Sequence, residues 1–273
     1  MADAMEIHFF DYISVELLFV LTVLVMLLML EVGFRFGGVN KSKKVKAQTA
    51  QVRALMGATL GLLAFMLAFT FATAQDHFES RIQLQVDEAL VLKKAFMQAD
   101  RFSEPSRSGI RVSLMEYTDG RGELRKAVQT RDKALFFELL IRSEAIQLEL
   151  WAEARQYVAL SQAGLEESSA AGGFMSMVLS LMELQTRRVE AALVNRIPVV
   201  IWLTLYFTAI MSMIVVGYQP GLTEKRSPVA TFSLALAFSA VMMLIMDLDR
   251  PLQSLFELDV TVMDQLAAFM RKQ

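Results

Sequence analysis

The stretch ALMGATLGLLAFMLAFTFATAQ, residues Ala54–Gln75, decides the fold. It carries no charged residue, and a helix of about 20 mainly apolar residues is long enough to cross a bilayer. The sequence that follows, DHFESRIQLQVDEALVLKKAFMQAD (Asp76–Asp100), contains neither proline nor glycine. Within it Phe78, Ile82, Val86, Ala89 and Leu92 recur every three or four residues, the stripe of an amphipathic helix. The spacing predicts one helix that leaves the membrane and continues as a polar stem.

Three more apolar runs complete the pattern: Tyr12–Phe36, Ile197–Tyr218 and Val229–Met246. The chain of 273 residues is 55% hydrophobic, with mean hydropathy +0.42, above the range of ordinary soluble domains. Residues 12–36, 54–74, 197–218 and 229–246 are therefore expected to form four transmembrane helices. The first run follows the acids Asp3, Glu6 and Asp11 instead of a basic segment, so it reads as a retained span and not a signal peptide. With no cysteine, disulfides, thiolate nucleophiles and cysteine-held zinc or iron–sulfur centres are excluded. His8 and His77 alone cannot build a multi-histidine centre, so no metal and no cofactor are expected.

Between the second and third runs lie about 120 residues of helical character, by the same periodicity. FSEPSRS, with Pro105, breaks the stem. A helix over 111–129 follows, with an interruption around Asp119–Gly122. The next covers 132–161 and carries Leu135, Leu139, Ile146, Leu150, Ala154 and Tyr157 on one face. AGLEESSAAGG reads as a loop. Phe174–Arg196 reads as a last helix that feeds into the third span, with Pro198 in that span's first turn. The expected fold is an all-α integral membrane protein with a helical bundle inserted between transmembrane helices 2 and 3. The expected segments are a membrane hairpin (1–76), the bundle (77–196), a second hairpin (197–247) and an amphipathic tail (248–273).

Charge sets the expected orientation. Loop 37–52 holds Lys41, Lys43, Lys44 and Lys46, with Arg35 and Arg53 at its edges and no acid. Loop 219–228 holds Lys225 and Arg226 against Glu224. The positive-inside rule places both loops in the cytoplasm, and the bundle and both termini in the periplasm of a bacterial inner (plasma) membrane. Lys93, Lys94, Arg187, Arg188 and Arg196 in the bundle pull the other way. A contact between KSKKVK and anionic lipid is an alternative use of the first loop. One short basic loop makes no nucleic-acid surface, so no nucleic-acid partner is expected.

The second span has a stripe of small residues, Gly57, Gly61, Ala64, Ala68 and Ala72, at helical spacing. One reading is close helix packing, with the threonines bonded to their own backbone. The other is a pore in an oligomer, with Thr59, Thr70 and Thr73 supplying hydroxyls and Phe65 and Phe71 supplying apolar narrowings. Charges gather at the ends of the spans: Asp76, Glu79, Arg81 and Glu88 after the second, Arg188 before the third, and Asp247, Asp249 and Arg250 before Pro251. They read either as caps and ion pairs or as a mouth that attracts ions. Glu31 in the first span has Arg53 as a candidate partner. Phosphate-loop, zinc-protease, nucleophile-elbow and dinucleotide patterns are all missing, so no enzyme is expected. The pairs Glu149–Glu153 and Glu166–Glu167 read as solvated.

These pieces occur in a recognisable order. LGLLAFMLAFTFATA is followed by Arg81-x6-Glu88-Ala89, then Tyr117-x3-Arg121, then Arg187-Arg188 before Arg196-Ile197-Pro198, then Gly217, and last D-L-D-R-P at Asp247–Pro251. The chain resembles, over nearly its whole length, the bestrophin-like family known as domain of unknown function 4239. It departs from the family pattern at Leu90, where asparagine is frequent, and at Leu252-Gln253-Ser254, where a glycine is common. The resemblance implies distant kinship with bestrophins, oligomeric anion channels whose second helix lines the pore, and by analogy a pentamer. It also implies a cytoplasmic bulk, against the loop charges. The resulting reading is a homo-oligomeric channel for inorganic ions, anions favoured, in a lipid bilayer. The alternative is a non-conducting sensor or scaffold that binds a partner through its helical domain.

Overall fold

The computed structural model of the chain describes residues 14–39, 45–130, 132–164, 168–223, 227–250 and 261–273. Asp3, Glu6, His8, Asp11, Lys41, Lys43, Lys44, Glu166, Glu167, Glu224, Lys225, Arg226 and Pro251–Ser254 lie outside them. Among the described residues all regular structure is helical: α1 (Val15–Val39), α2 (Val45–Gln98), α3 (Ser106–Gln129), α4 (Lys133–Gln162), α5 (Ser168–Leu193), α6 (Val199–Thr223), α7 (Pro228–Asp249) and α8 (Thr261–Met270). A 3₁₀ turn, Ala99–Arg101, closes α2. Helices α1, α2, α6 and α7 are long and apolar enough to cross a membrane.

The helix ends have local causes. The Asp132 carboxylate accepts a 3.0 Å hydrogen bond from Leu135 N and so caps α4. Gly164, at φ +76°, stops that helix in the left-handed conformation that glycine adopts without a Cβ clash. Pro228 opens α7 at a position where a missing N–H costs nothing. Two expectations need correction. The glycines of Asp119–Gly122 do not interrupt α3, because Ile110, Leu114 and Tyr117 ahead of them and Arg121 between them keep one face of it buried, and Ala127 is buried beyond them. Nor does the helix over 174–196 feed into the next span. It starts earlier, at Ser168, and ends at Leu193, and Pro198 disfavours helical geometry at Ile197.

The chain divides into two compact units, Met1–Phe78 with Arg196–Arg250, and Glu79–Asn195 with Pro251–Gln273. Helix α2 contributes to both.

In the first unit α1 packs along α6 and α7. The α1–α6 crossing is made by two G-x-x-x-G pairs, Gly33 with Gly37 and Gly217 with Gly221. A Cβ on Gly33 would land on the Ile214 carbonyl oxygen, and one on Gly217 would land on that of Leu30. Backbones this close gain dispersion contacts where lipid removes the hydrophobic drive for helices to associate. The Thr22 and Tyr206 hydroxyls meet at 3.0 Å across the same pair of helices.

In the second unit α4 packs against both α3 and α5. The stem of α2 reaches α3 and α5 through Glu88 and α5 again through Gln98, and Arg101 of the closing turn also meets α5. The order around the bundle is therefore α2, α3, α4, α5, with the α2 stem and α4 at opposite corners. Phe102, Tyr157 and Phe174 form an aromatic group in its core, with ring centroids 5.1 to 5.9 Å apart. Helix α8 lies on α3, buries Leu266 and Met270, and sets Phe269 edge-on to Phe96.

Candidate functional site

Three groups of residues stand out, each within one unit.

The first is the membrane segment of α2. Leu63, Leu67, Thr70 and Ala74 are buried, at the spacing of one helical face. On the far side Gly57, Gly61, Ala64, Phe65, Ala68 and Ala72 are exposed. Added Cβ atoms at Gly57 and Gly61 would meet nothing within 4 Å, in contrast to those at Gly33 and Gly217. Phe65 is 69% exposed. Thr70 turns inward, and its hydroxyl donates to the Met66 carbonyl at 2.8 Å. Phe71 is half-buried against the apolar core of the first unit. Thr59 and Thr73 are half-buried at the edges of the face and donate to the Met56 and Phe69 carbonyls, both at 3.2 Å. Of the five candidates Phe65 alone stands on the open face.

The second group is a charge network in the other unit. Glu88 is fully buried. The Tyr117 hydroxyl donates to its Oε1 at 2.7 Å, and Arg121 Nε lies 3.4 Å from the same oxygen. Arg188 Nη1 pairs with Oε2, and Arg121 Nη2 lies 3.4 Å from it. Gln147 Nε2 donates to the Tyr117 hydroxyl at 3.0 Å and to the Leu181 carbonyl at 3.3 Å. One carboxylate thus links α2, α3 and α5, and the amide extends the network to α4. A buried carboxylate costs several kcal/mol unless it is paired and hydrogen-bonded, and here both of its oxygens are served. Burial pulls the Arg121 guanidinium below its ordinary pKa, partly offset by Tyr117. Gln147 was missed in the sequence. Its signal was a polar residue between Ile146 and Leu150 on the face that packs inward.

The third group is the end of α7. Asp247, Asp249 and Arg250 are all buried. Asp249 Oδ1 accepts from Ile197 N at 3.0 Å and so ties the end of α7 to the start of α6. A carboxylate there also meets the positive end of the α6 dipole. Arg250 N donates to the Asp247 carbonyl at 3.2 Å. Asp76 and Glu79 are exposed and Arg81 is buried. Glu31 meets Arg35, one turn along its own helix at 3.1 Å, in place of the expected Arg53. Glu153 is half-buried instead of solvated. Burial raises its pKa against the hydrogen bond from Ser113, and Glu149 adds to the rise. Among the described residues no cluster of metal-ligating side chains occurs.

Comparisons with known proteins give one answer. A family model described as a bestrophin-like domain matches residues 19–261. A crystal structure described as that of a membrane protein aligns with a TM-score of 0.58 at 15% identity, covering 93% of this chain and 99% of the other. A mutant of a bacterial bestrophin homologue from Klebsiella pneumoniae aligns with a TM-score of 0.56 at 15% identity, covering 95% and 99%. A second mutant of that homologue aligns at 0.53 and 14%, covering 94% and 98%. At such identities the likeness is one of fold. No curated protein matches.

Proposed function

The chain belongs to the bestrophin-like family, and from that premise we propose that it is a homo-oligomeric ion channel whose pore is lined by α2. The observation that carries the reading is the bare face of that helix. One side packs on the chain's own core, while the other presents glycine and alanine together with Leu55, Leu62, Phe65 and Phe69 along the apolar segment. Copies arranged about a closed axis would bring these faces together. Small residues keep such a passage open, and Phe65 forms an apolar narrowing that gates by dewetting. Thr59 and Thr73 flank the passage, and Thr70 and Phe71 back it from the packed side. Asp76 and Glu79 stand at its mouth. Asp247, Asp249 and Arg250 hold the helices of the first unit, and Arg81, Glu88 and Arg188 those of the second.

The proposed setting is a bacterial inner membrane. The Glu79–Asn195 part of the second unit forms a bundle inserted between the second and third spans, and the basic loops lie in the cytoplasm. The proposed cargo is an inorganic anion and the proposed ring a pentamer, both supported by family likeness alone.

The test is single-channel recording from purified full-length protein in planar bilayers under a salt gradient. Conductance that changes in Phe65→Ala supports the pore, and the reversal potential reads the sign of the permeant ion. Silence from folded oligomer across voltage, pH and membrane tension overturns the reading.

A further inference from the structure

The charge network inside the second unit does not balance. Arg121 and Arg188 both pair with Glu88, and among the described residues neither has another acid. The network therefore carries a surplus positive charge. Elsewhere in the same unit each arginine has an acid of its own. Arg111 meets Asp100 and Arg187 meets Glu183, both at 2.6 Å, and Arg142 has Glu116 and Glu123. Sharing occurs at Glu88, which is fully buried, where an uncompensated charge costs most.

The hydrogen bonds are short of acceptors in the same way. Two guanidiniums offer more N–H donors than one carboxylate has lone pairs, and Tyr117 already occupies one of them. Arg121 presents Nε and Nη2 to Glu88, each 3.4 Å from an oxygen. Arg188 presents Nη1 alone. Among the described residues nothing accepts from Arg121 Nη1, or from Nε and Nη2 of Arg188.

Access differs along the network. The Arg121 side chain is 6% exposed and that of Arg188 is 21% exposed, so the network opens to solvent at Arg188. Gln147 covers another side, where it donates to the Tyr117 hydroxyl and adds no charge. The acids close to Arg188 and Glu88 in sequence are turned elsewhere. Glu183 holds Arg187, Asp87 is hydrogen-bonded by Gln83, and Glu190 stands two residues from Arg188, off its face of the helix.

We infer that Arg188, with Arg121 behind it, forms a binding site for a small oxyanion, a phosphate or a carboxylate that enters from the solvent side. Such a ligand supplies the missing negative charge. It also offers two oxygens to a planar fork, which a halide does not. The site involves the packed face of α2, at Glu88, and not the face assigned to the pore. It is an effector site, and it stands whether or not the chain conducts.

The test uses full-length protein in lipid nanodiscs, melted with sodium phosphate and with sodium chloride at matched ionic strength. A ligand of the folded state raises the melting temperature. The expected result is a rise that saturates with phosphate and is missing with chloride. Arg188→Gln leaves Arg121 and Glu88 as a balanced pair and should weaken phosphate binding about tenfold or more, the loss of one charge-assisted hydrogen bond. Arg188→Lys keeps the charge without the fork and should recover little of it. The unaltered protein gives a readout free of folding effects. Phosphate should protect Arg188 from phenylglyoxal, read by peptide mass spectrometry, while the exposed Arg187 reacts in both salts. Equal effects of chloride and phosphate, equal protection of Arg187 and Arg188, or no effect of phosphate would each overturn the inference. So would an Arg188→Gln variant that binds phosphate as the parent does. None of these results touches the channel, which the bilayer recordings test separately.

Discussion

The Tyr117 hydroxyl donates a 2.7 Å hydrogen bond to Oε1 of Glu88, a carboxylate with no solvent exposure at all. Around this pair α2, α3, α4 and α5 are joined by polar groups in an otherwise apolar core. Polar interiors of this kind carry a large penalty when one member is lost.

Glu88→Ala leaves the Arg121 and Arg188 guanidiniums without their shared anion. Breaking a buried ion pair costs about 3–5 kcal/mol, so this variant should show a large drop in the unfolding midpoint of the purified protein. Tyr117→Phe removes one neutral donor and should cost about 1 kcal/mol. Equal, small effects from both would show that the network contributes little to stability.

Gly33→Ala and Gly217→Ala place a methyl group against backbone of the facing helix, which no side-chain rotation relieves. Both should abolish the monodisperse peak in size-exclusion chromatography. Gly57→Ala and Gly61→Ala meet nothing within the chain and should leave the fold of the subunit intact. If they alter conductance while the protein remains folded, the bare α2 face is in use.

Asp249→Ala strips the acceptor from the buried Ile197 N–H. An orphaned buried donor costs about 1–3 kcal/mol. Asp249→Asn keeps an oxygen in place and should recover most of that loss, which a thermal melt of the two variants side by side would read.

Glu153 gives a pH signature. Its folded pKa is raised above the ordinary 4.5, so the folded state binds its proton more tightly than the unfolded state does. The contribution is most favourable below pH 4.5 and declines as pH rises from there through the raised folded value. Glu153→Gln should flatten that part of the stability profile, and melts at a series of pH values would show it. An unchanged slope would mean that the carboxyl is solvated.

The spans were legible because composition alone decides whether a helix tolerates lipid, and Pro105 and Pro198 punctuate the rest. The residues of the family pattern also meet in space: Glu88 with Tyr117, Arg121 and Arg188, and Ile197 with Asp249. Facing was harder to read. On α2, Phe65, Thr70 and Phe71 look equivalent in a string of apolar letters. Packing of Leu63, Leu67 and Ala74 into the core turns Thr70 in and Phe65 out. The glycines of α3 suggested a break that side-chain burial overrides, since propensity is worth about 1 kcal/mol per glycine. The G-x-x-x-G pairs were hidden because their meaning depends on a partner far along the chain.

That distance has a consequence for how the protein is made. Thr22 on α1 and Tyr206 on α6 are 184 residues apart. At about 5–20 residues per second, a ribosome needs about 10–40 s to travel between them. Helix α1 therefore emerges without its mate and stays in that condition while the whole of α3, α4 and α5 is translated. Its glycine face waits, open to any other newborn helix, until α6 arrives to claim it.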